Sequence, residues 1–231
     1  MKKKTKNLAH RELLRLHVES VWGVQLPLSI DNDITIVPEG AMPSWSLYVA
    51  QLANERIYIW RPDVSSENRL ALLERVHEAF SLLSTDSLAP NIRREVALHI
   101  AAQPTIDKVV ANQIAQPITV STHLEGYHFT PQQEPVIGVM REGRLLCVAH
   151  SAHRTAQACE LGIDTQVEAR RKGYALAATV LWTEAVAKVG LVPLYSALLE
   201  NEASLRLAAA AGYREFARAV YTSERDSLEE D

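Results

Sequence analysis

The sequence predicts an α/β protein with a mixed sheet, and three features of the chain predict it. Apolar and polar residues alternate between residues 34 and 59, where prolines separate short strands. A second group of strands follows residue 104, and strands alternate with helices from residue 160 to residue 220. Hairpins make neighbouring strands antiparallel, whereas a helical crossover makes them parallel, so the sheet should contain both pairings.

Composition limits the class of protein. The chain has 231 residues, of which 47% are hydrophobic, enough to bury a core. Its formal net charge of -4 gives no basis for binding nucleic acid except through the run Lys2 to Lys4, and that run stays open as an alternative. Two cysteines without a signal-peptide pattern favour the cytoplasm, and no apolar run is long enough to span a membrane. We therefore expect a cytoplasmic protein with no nucleic-acid or membrane partner.

The first hundred residues predict helices around a small group of strands. Helical spacing of apolar residues indicates a helix from Leu8 to Val21, and two further helices are expected from Ser66 to Leu83 and from Asn91 to Ala102. Pro104 ends the last of these. We therefore divide the chain into an N-terminal helix-rich extension of unknown role, residues 1–104, and a second domain, residues 105–231.

The second domain begins with predicted strands and continues as an alternating series. The first strands contain Val109 and Val110, Ile118 and Val120, Val136 to Val139, and Leu145 to Val148, with a hairpin turn at Glu142 and Gly143. The later elements are strand 160–167, helix 173–189, strand 194–199, a helix from Asn201 to Gly212, and strand 213–220. The strands on either side of helix 173–189 should be parallel.

The loop between strand 160–167 and the next helix predicts an anion site. Arg170, Arg171 and Lys172 precede Gly173, which opens the helix. The N-terminus of a helix presents unpaired backbone N–H groups and the positive end of the helix dipole. Since Gly173 has no Cβ, a phosphate can approach the backbone closely there.

Two motifs in this region resemble those of the GNAT acetyltransferase superfamily. The segment from Arg170 to Ala175 is similar to the family's pyrophosphate loop, written Gln/Arg-x-x-Gly-x-Gly/Ala. Asn201-x-x-Ser204, followed by Ala-Gly-Tyr at residues 211 to 213, resembles the family's next signature. The separation of one helix and one strand also matches, which makes the pair more specific than either motif alone.

The resemblance implies a fold, a cofactor and an activity. It implies a GNAT-like fold in which the two central parallel strands splay apart and acetyl-CoA, as co-substrate, lies in the gap. The chain would then transfer an acetyl group directly to an amine of a small molecule or a peptide. The implied cofactor-binding residues are Thr165, Gln166, Val167, Arg170, Arg171, Lys172, Gly173, Tyr174, Ala175, Asn201 and Ser204.

The catalytic groups are less well defined by the resemblance. Glu160 is the first candidate for accepting the amine proton, because the family often places an acidic base at the start of this strand; His150 and His153 follow it. Many members have a tyrosine seven residues after the Asn, as acid for the departing thiolate, but this chain has Ala208 there. Ser204, Tyr195, Tyr213 or a water could take that role. The alternative is a catalytically degenerate GNAT module that binds acyl-CoA or regulates.

Other chemistries have less support. The spacing of Cys147, His150, His153 and Cys159 matches no common zinc pattern, so we expect no metal. The chain has no Gly-x-x-x-x-Gly-Lys loop, Gly-x-Gly-x-x-Gly fingerprint or Gly-x-Ser-x-Gly elbow. Neither the acceptor amine nor the oligomeric state, a homodimer included, follows from the sequence.

Overall fold

A computed structural model describes residues 9–28, 31–38, 42–81, 89, 91–119 and 129–223. The Lys2 to Lys4 run, Leu8, Leu83 and Val120, which figured in the sequence predictions, lie outside the described residues. The chain forms two compact units: the first comprises residues 1–97, 198–200 and 215–231, and the second comprises residues 98–197 and 201–214. Because the chain passes between the units several times, neither unit is one continuous segment. The predicted division at residue 104 stays a prediction.

The described part of the first unit contains two helices and a group of neighbouring strands. The helices are α1, His10–Trp22, and α2, Ser66–Ser81, and they confirm two of the predicted helices. The strands are β1 (Val24–Gln25), β2 (Asp33–Thr35), β3 (Val37–Pro38), β4 (Trp45–Gln51), β5 (Arg56–Trp60), most of β6 (Ile92–Ile100) and most of β12 (Tyr213–Ser223). Strands β1 and β3 pair with each other, and the others lie in the order β2-β5-β4-β12-β6.

Helix α2 packs on the strands through an apolar cluster. Val76 and Ala79 of the helix are buried against Leu47, Trp60 and Val220 of the strands. Burial of such side chains contributes about 25 cal/mol for each Å² of apolar surface removed from water. Val76 and Ala79, with Leu72, Leu73 and Phe80 packed against the same cluster, therefore anchor this helix.

Polar residues are buried between helix α1 and the strands of the first unit. His17 Nε2 lies 2.6 Å from Glu95 Oε1, and the phenol of Tyr48 donates to the same oxygen at 3.2 Å. Aromatic rings surround this group: Tyr48 stacks on Tyr221, and Trp22 meets Tyr221 edge to face. Since buried ionisable groups are tolerated only when hydrogen-bonded, this cluster fixes the position of α1 on the strands.

The second unit contains the mixed sheet on which the site is built. Its helices are α3 (Lys108–Ile114), α4 (Tyr174–Lys188) and α5 (Glu202–Ala210), and its remaining strands are β7 (Gln116–Ile118), β8 (Val136–Arg141), β9 (Arg144–Arg154), β10 (Ala158–Thr165) and β11 (Val192–Leu198). The strand order is β11-β10-β9-β8-β7. Only the β10–β11 pair is parallel within this order; the other three pairs are antiparallel. The predicted mixed α/β class is confirmed.

Helix α4 covers the sheet of the second unit. It packs against β8, β9 and β10. Trp182, fully buried in this helix, directs its Nε1 at Ser151 Oγ of β9, 3.4 Å away. The turn between β8 and β9 has positive φ at both Glu142 and Gly143, 52° and 76°, which confirms the predicted hairpin turn.

The predicted helix from Asn91 to Ala102 is wrong, because this segment forms strand β6. Ile92, Val96 and Ile100 satisfy a helical spacing, but they also fall on alternate positions of a strand. Residues on both sides of β6 are buried, including Arg94 and Glu95, so the strand lacks the polar alternation that would have distinguished it. Its β-branched residues suit the pleated backbone.

The predicted strand at Val109 and Val110 is also wrong, because both residues lie in helix α3. Asp107 is the N-cap of this helix, and its Oδ1 accepts from the backbone N–H of Val110 at 2.9 Å. The capping residue satisfies a donor that would otherwise be unpaired and so favours a helix in a short segment with β-branched residues.

Replacing Gly212 by alanine is expected to destabilise the second unit by about 3 kcal/mol, combining left-handed backbone strain with overpacking. Gly212 has a φ of 92°, and an added Cβ would lie 2.4 Å from the carbonyl oxygen of Ala102. Gly190 has a similar φ of 87° with open space around it, so Gly190→Ala should cost only about 1 kcal/mol. Urea unfolding of the two variants measures the difference, and equal losses would contradict it.

Candidate functional site

A cleft opens in the second unit where strands β10 and β11 part. The parallel register runs from Ala158 opposite Val192 to Glu160 opposite Leu194. Beyond that point, Ile163 to Thr165 of β10 and Tyr195 of β11 line a cleft of about 660 Å³. This volume lies in the range of sites for small organic ligands, about 300–1,000 Å³. The wedge between two neighbouring strands leaves part of the backbone edge of β10 available to a ligand.

One end of the cleft is formed by the loop that leads into helix α4. Arg171 and Gly173 have positive φ values of 61° and 77°, so the chain turns sharply twice before the helix. Gly173 is the N-cap, and an added Cβ there would meet nothing within 4 Å. The first N–H groups of an α-helix have no acceptor within the helix. Those of Tyr174 and Ala175, both on the cleft, are therefore available to an anion.

Arginine side chains line the cleft. Arg170 and Arg171 belong to the loop, and Arg206 of α5 lies on the lining as well. The guanidinium of Arg141 lies 5.5 Å from the ring centre of Tyr174, which holds this ring beside the loop. Together with the positive end of the α4 dipole, Arg170 and Arg171 favour a negatively charged ligand group, whereas Arg206 is ion-paired with Glu202 at 2.8 Å.

The opposite wall is built by the start of helix α5. Asn201 is its N-cap, and its Oδ1 accepts from the backbone N–H of Ser204 at 3.1 Å. The hydroxyl of Ser204 is hydrogen-bonded to the phenol of Tyr195 at 2.8 Å, and all three residues line the cleft. The cap thus holds Ser204 beside Tyr195 on the cleft lining.

The cleft brings together most of the residues predicted to bind a cofactor. Eight of them line it: Thr165, Arg170, Arg171, Gly173, Tyr174, Ala175, Asn201 and Ser204. Gln166, Val167 and Lys172 lie in or beside the same loop but are not on the lining. Val167 is exposed, and the backbone N–H of Gln166 donates to the carbonyl of Leu146 instead. Their role in binding stays a prediction.

Glu160 is buried at the last position of β10 that pairs with β11. It is only 4% exposed, and a bulge in the pairing with β9 lies directly after it. It is not part of the cleft lining, although its charge contributes to raising the pKa of Tyr195, after the larger effect of burial. Its role as the proton acceptor stays a prediction.

The two histidines of β9 occupy different environments. His150 is half-buried opposite Gly162, and its ring lies 5.8 Å from that of Phe129, centre to centre. Burial lowers the pKa of His150 below its usual range, so this side chain is neutral at pH 7. His153, opposite Glu160, is exposed. Neither histidine lies on the cleft lining, and the catalytic role suggested for His150 stays a prediction.

Several lining residues had not been identified in the sequence. Those on α5 are Ala203, Arg206, Leu207 and Ala210, and those elsewhere are Ile163, Asp164, Ala169 and Leu176. The spacing of Ala203, Leu207 and Ala210 is that of one helix face, and this pattern could have indicated a second wall. Tyr213, another suggested acid, is fully buried, and its phenol is hydrogen-bonded to Thr183 Oγ1 at 2.7 Å. It does not line the cleft.

The cysteines are buried thiols. Thr165 Oγ1 lies 3.2 Å from Cys147 Sγ, and burial raises the pKa of Cys147 to about 11. Within the described residues, no three histidine, cysteine or acidic side chains gather where they could hold a metal ion. In the same part of the chain, no helix is long and apolar enough to cross a membrane.

Comparison of the sequence with known families gives one match over most of the chain. The family described as GNAT acetyltransferase matches residues 66–219, which are 154 of the 231 residues. The matched region includes the loop before α4, strands β10 and β11, and helix α5. No curated protein matches the sequence.

Solved structures that match this chain are distant from it in sequence. An acetyltransferase of the GNAT family from Colwellia psychrerythraea is 15% identical, with 73% of this chain and 76% of that chain covered and a TM-score of 0.47. A GCN5-related N-acetyltransferase-like protein from Streptococcus suis is 16% identical, with 79% and 84% covered and a TM-score of 0.46. A Novosphingobium aromaticivorans protein described as belonging to the GNAT family is 19% identical, with 57% of this chain and 64% of that chain covered and a TM-score of 0.42. The last match spans less than two thirds of that protein.

Proposed function

Since this chain belongs to the GNAT acetyltransferase family, we propose that it is an acetyl-CoA-dependent N-acetyltransferase that acts on an amine of a small molecule or a peptide. The observation that carries this proposal is the cleft between β10 and β11, closed at one end by the loop at Gly173. A wedge between strands suits an extended chain, and a helix N-terminus at its end suits the diphosphate of coenzyme A. We also propose the cytoplasm as its compartment, on the cysteine pattern of the sequence.

The residues of the loop fit the charge of the diphosphate. The backbone N–H groups of Tyr174 and Ala175 would donate to its oxygens, and the absence of a Cβ at Gly173 lets them approach. Arg170 and Arg171 would add charge-assisted hydrogen bonds. Anion binding of this kind weakens as salt screens the charges.

The strand edge and helix α5 fit the rest of the molecule. The backbone of Ile163 to Thr165 would pair with the amide groups of the pantetheine arm, as an added strand pairs with a sheet. Asn201 and Ser204 would contact the arm from the opposite wall. The arm would then point its thioester toward the narrow end of the wedge, near Glu160 and Tyr195. This placement orients the acyl carbon for attack by an amine, and orientation alone can supply a large part of a rate enhancement.

The acceptor amine must lose a proton for the reaction to complete. Glu160, His150 and His153 are the candidates that the sequence offered, and in the register of β9 with β10 His153 lies opposite Glu160 and His150 opposite Gly162. Glu160 pairs with Leu194 at the last register before the strands part. We therefore keep Glu160 as the first candidate for accepting this proton.

Titration of the full chain with acetyl-CoA, followed by calorimetry, tests the first part of the proposal. We expect one site with a dissociation constant of about 1 μM to 1 mM, the range of typical KM values, and weaker binding as salt rises. A panel of small amines and peptides with free amino groups, assayed by the release of free thiol from acetyl-CoA, tests the second part. A chain that shows no heat of binding would contradict the proposal as a whole.

The second candidate function is an acyl-CoA-binding module without transferase activity. It is favoured by Ala208, which stands where many members of the family have a tyrosine and which is fully buried in α5. Both candidate functions predict that the chain binds acetyl-CoA, but only the transferase predicts turnover. Binding of acetyl-CoA without release of thiol for any amine in the panel would favour this module.

A further inference from the structure

Two hydroxyl groups meet at the narrow end of the cleft. Tyr195 follows Leu194, which is the last residue of β11 that pairs with β10. Its phenol lies 2.8 Å from Ser204 Oγ, and both side chains are on the cleft lining. Tyr195 itself is only 2% exposed, whereas Ser204 is half-buried. The serine therefore lies between the buried phenol and the more open part of the cleft.

The surroundings of Tyr195 keep its phenol protonated. Burial raises the pKa of Tyr195 above its usual value, the hydrogen bond between Tyr195 and Ser204 opposes this rise, and the charge of Glu160 adds to it. A phenol in this state is neutral at pH 7 and can donate a proton or a hydrogen bond. The ring of Tyr213 packs edge to face against that of Tyr195, 5.4 Å between centres, and limits its movement.

The second tyrosine of this pair provides an internal comparison. Tyr213 is also buried, and its phenol is also hydrogen-bonded to a hydroxyl, that of Thr183 at 2.7 Å. Unlike Tyr195, it does not line the cleft. The two tyrosines therefore differ in access to the site while matching in burial and in hydrogen bonding.

Helix α5 relates this pair to the missing tyrosine of the family. Ser204 and Ala208 are four residues apart on α5, so their side chains lie on the same side of the helix, one turn from each other. Ala208 is fully buried and carries no polar group, whereas Ser204 lines the cleft. A hydroxyl pair is thus present one turn before the position where the family's acid is absent.

Resting on the proposed acetyltransferase function, we propose that Tyr195 is the proton donor to the departing sulfur and that Ser204 is a positioning residue that orients the phenol and supplies its proton. The evidence is their mutual hydrogen bond, their shared place on the cleft lining and the position of Tyr195 where the strands part.

The proposed step balances in atoms and charge. The amine nitrogen forms a bond to the acyl carbon, the carbon–sulfur bond breaks, and its electron pair leaves with sulfur. Tyr195 gives its phenolic proton to that sulfur. Ser204 passes its own proton to the phenolate oxygen and takes one from water in the cleft, while the amine proton passes to its acceptor and then to solvent. No oxidant or further reactant is required.

Binding measurements on four forms of the full chain test this assignment without any acceptor. The forms are the wild type, Tyr195→Phe, Ser204→Ala and Tyr213→Phe, each titrated with coenzyme A and with desulfo-coenzyme A, which lacks the sulfur. A hydrogen bond from Tyr195 to sulfur should make the wild type prefer coenzyme A by about fivefold, the size of one ordinary hydrogen bond. Tyr195→Phe should lose this preference, and Tyr213→Phe should keep it.

Turnover with an amine acceptor found in the panel gives the second readout. Tyr195→Phe should lower kcat by about 100-fold, the low end for loss of a general acid, with little change in the KM for acetyl-CoA. Ser204→Ala should lower kcat by about tenfold, since one hydrogen bond to the phenol is lost. Tyr213→Phe should stay within about threefold of the wild type, as expected of a substitution that removes no group from the site.

The outcomes separate this inference from the proposed function. If the wild type binds neither coenzyme A nor acetyl-CoA, both fall. If the wild type binds and turns over while Tyr195→Phe keeps its preference for coenzyme A and its kcat, only the inference falls. Should Tyr195→Phe fail to fold, Ser204→Ala decides, and an unchanged kcat in that variant would overturn the assignment.

Discussion

Replacing Gly173 by glutamate is expected to lower the affinity for acetyl-CoA by at least about 100-fold. The hydrogen bonds from the α4 N–H groups to the diphosphate would be lost, and the new carboxylate would repel the phosphate oxygens. Gly173 is the N-cap of α4, where the added carboxylate would accept from the helix N–H groups that the diphosphate would use. It would also place a negative charge beside the phosphate oxygens. Calorimetry with acetyl-CoA measures the loss.

The glycine that follows the C-terminal end of α4 supplies the control. Gly190 follows the other end of α4, and its φ of 87° is close to the 77° of Gly173, with open space at both positions. Gly190→Glu therefore introduces a similar backbone strain and the same charge, but far from the cleft. We expect it to bind acetyl-CoA as the wild type does. Equal affinity in Gly173→Glu and the wild type would show that the loop does not hold the diphosphate.

Replacing Trp182 by alanine is expected to lower the free energy of unfolding by about 3–5 kcal/mol, the cost of a large cavity in a core. Trp182 is fully buried in α4 and lies against the sheet, with its indole N–H directed at Ser151. Because α4 begins at the Gly173 loop, looser packing of the helix should also weaken the binding of acetyl-CoA. Urea unfolding and calorimetry on the same samples measure both effects.

Trp182→Phe distinguishes packing from hydrogen bonding. Phenylalanine keeps a six-membered ring in the core but loses the five-membered ring with its N–H, whose acceptor lies at 3.4 Å, so we expect a loss of about 1–2 kcal/mol, well below that of alanine. A loss as large as that of the alanine variant would mean that the polar contact, and not the cavity, dominates. A loss below about 1 kcal/mol in Trp182→Ala would contradict the assignment of α4 as the main cover of this sheet.

The sequence predicted those elements in which local chemistry and tertiary packing agree. Helix α4 begins after a glycine and is apolar around most of its circumference. Both features favour a helix that is buried against a sheet. Segment 92–100 shows the opposite case, because Ile92, Val96 and Ile100 fit either period, and burial on both sides of the strand removed the alternation that would have decided. In α3, a single cap at Asp107 outweighed the β-branched pair Val109 and Val110.

The candidate site was predicted in the same uneven way. The loop at Gly173 and the cap at Asn201 have motifs of their own, and both line the cleft. Tyr195 has no motif: it lies on the cleft because the register of β11 against β10 ends one residue earlier. A register is a property of two segments distant in sequence, so no local pattern could specify it. The buried cluster of His17, Tyr48 and Glu95 in the first unit was missed for the same reason.

The distribution of indole rings gives each compact unit its own optical signal. Trp22, Trp45 and Trp60 belong to the first unit, and Trp182 is the one tryptophan of the second. In a Trp182→Phe protein, all indole fluorescence would arise from the first unit, so its emission during denaturation would report that unit alone. Comparison with far-ultraviolet circular dichroism of the whole chain would then reveal whether the two units unfold in one cooperative transition or in two.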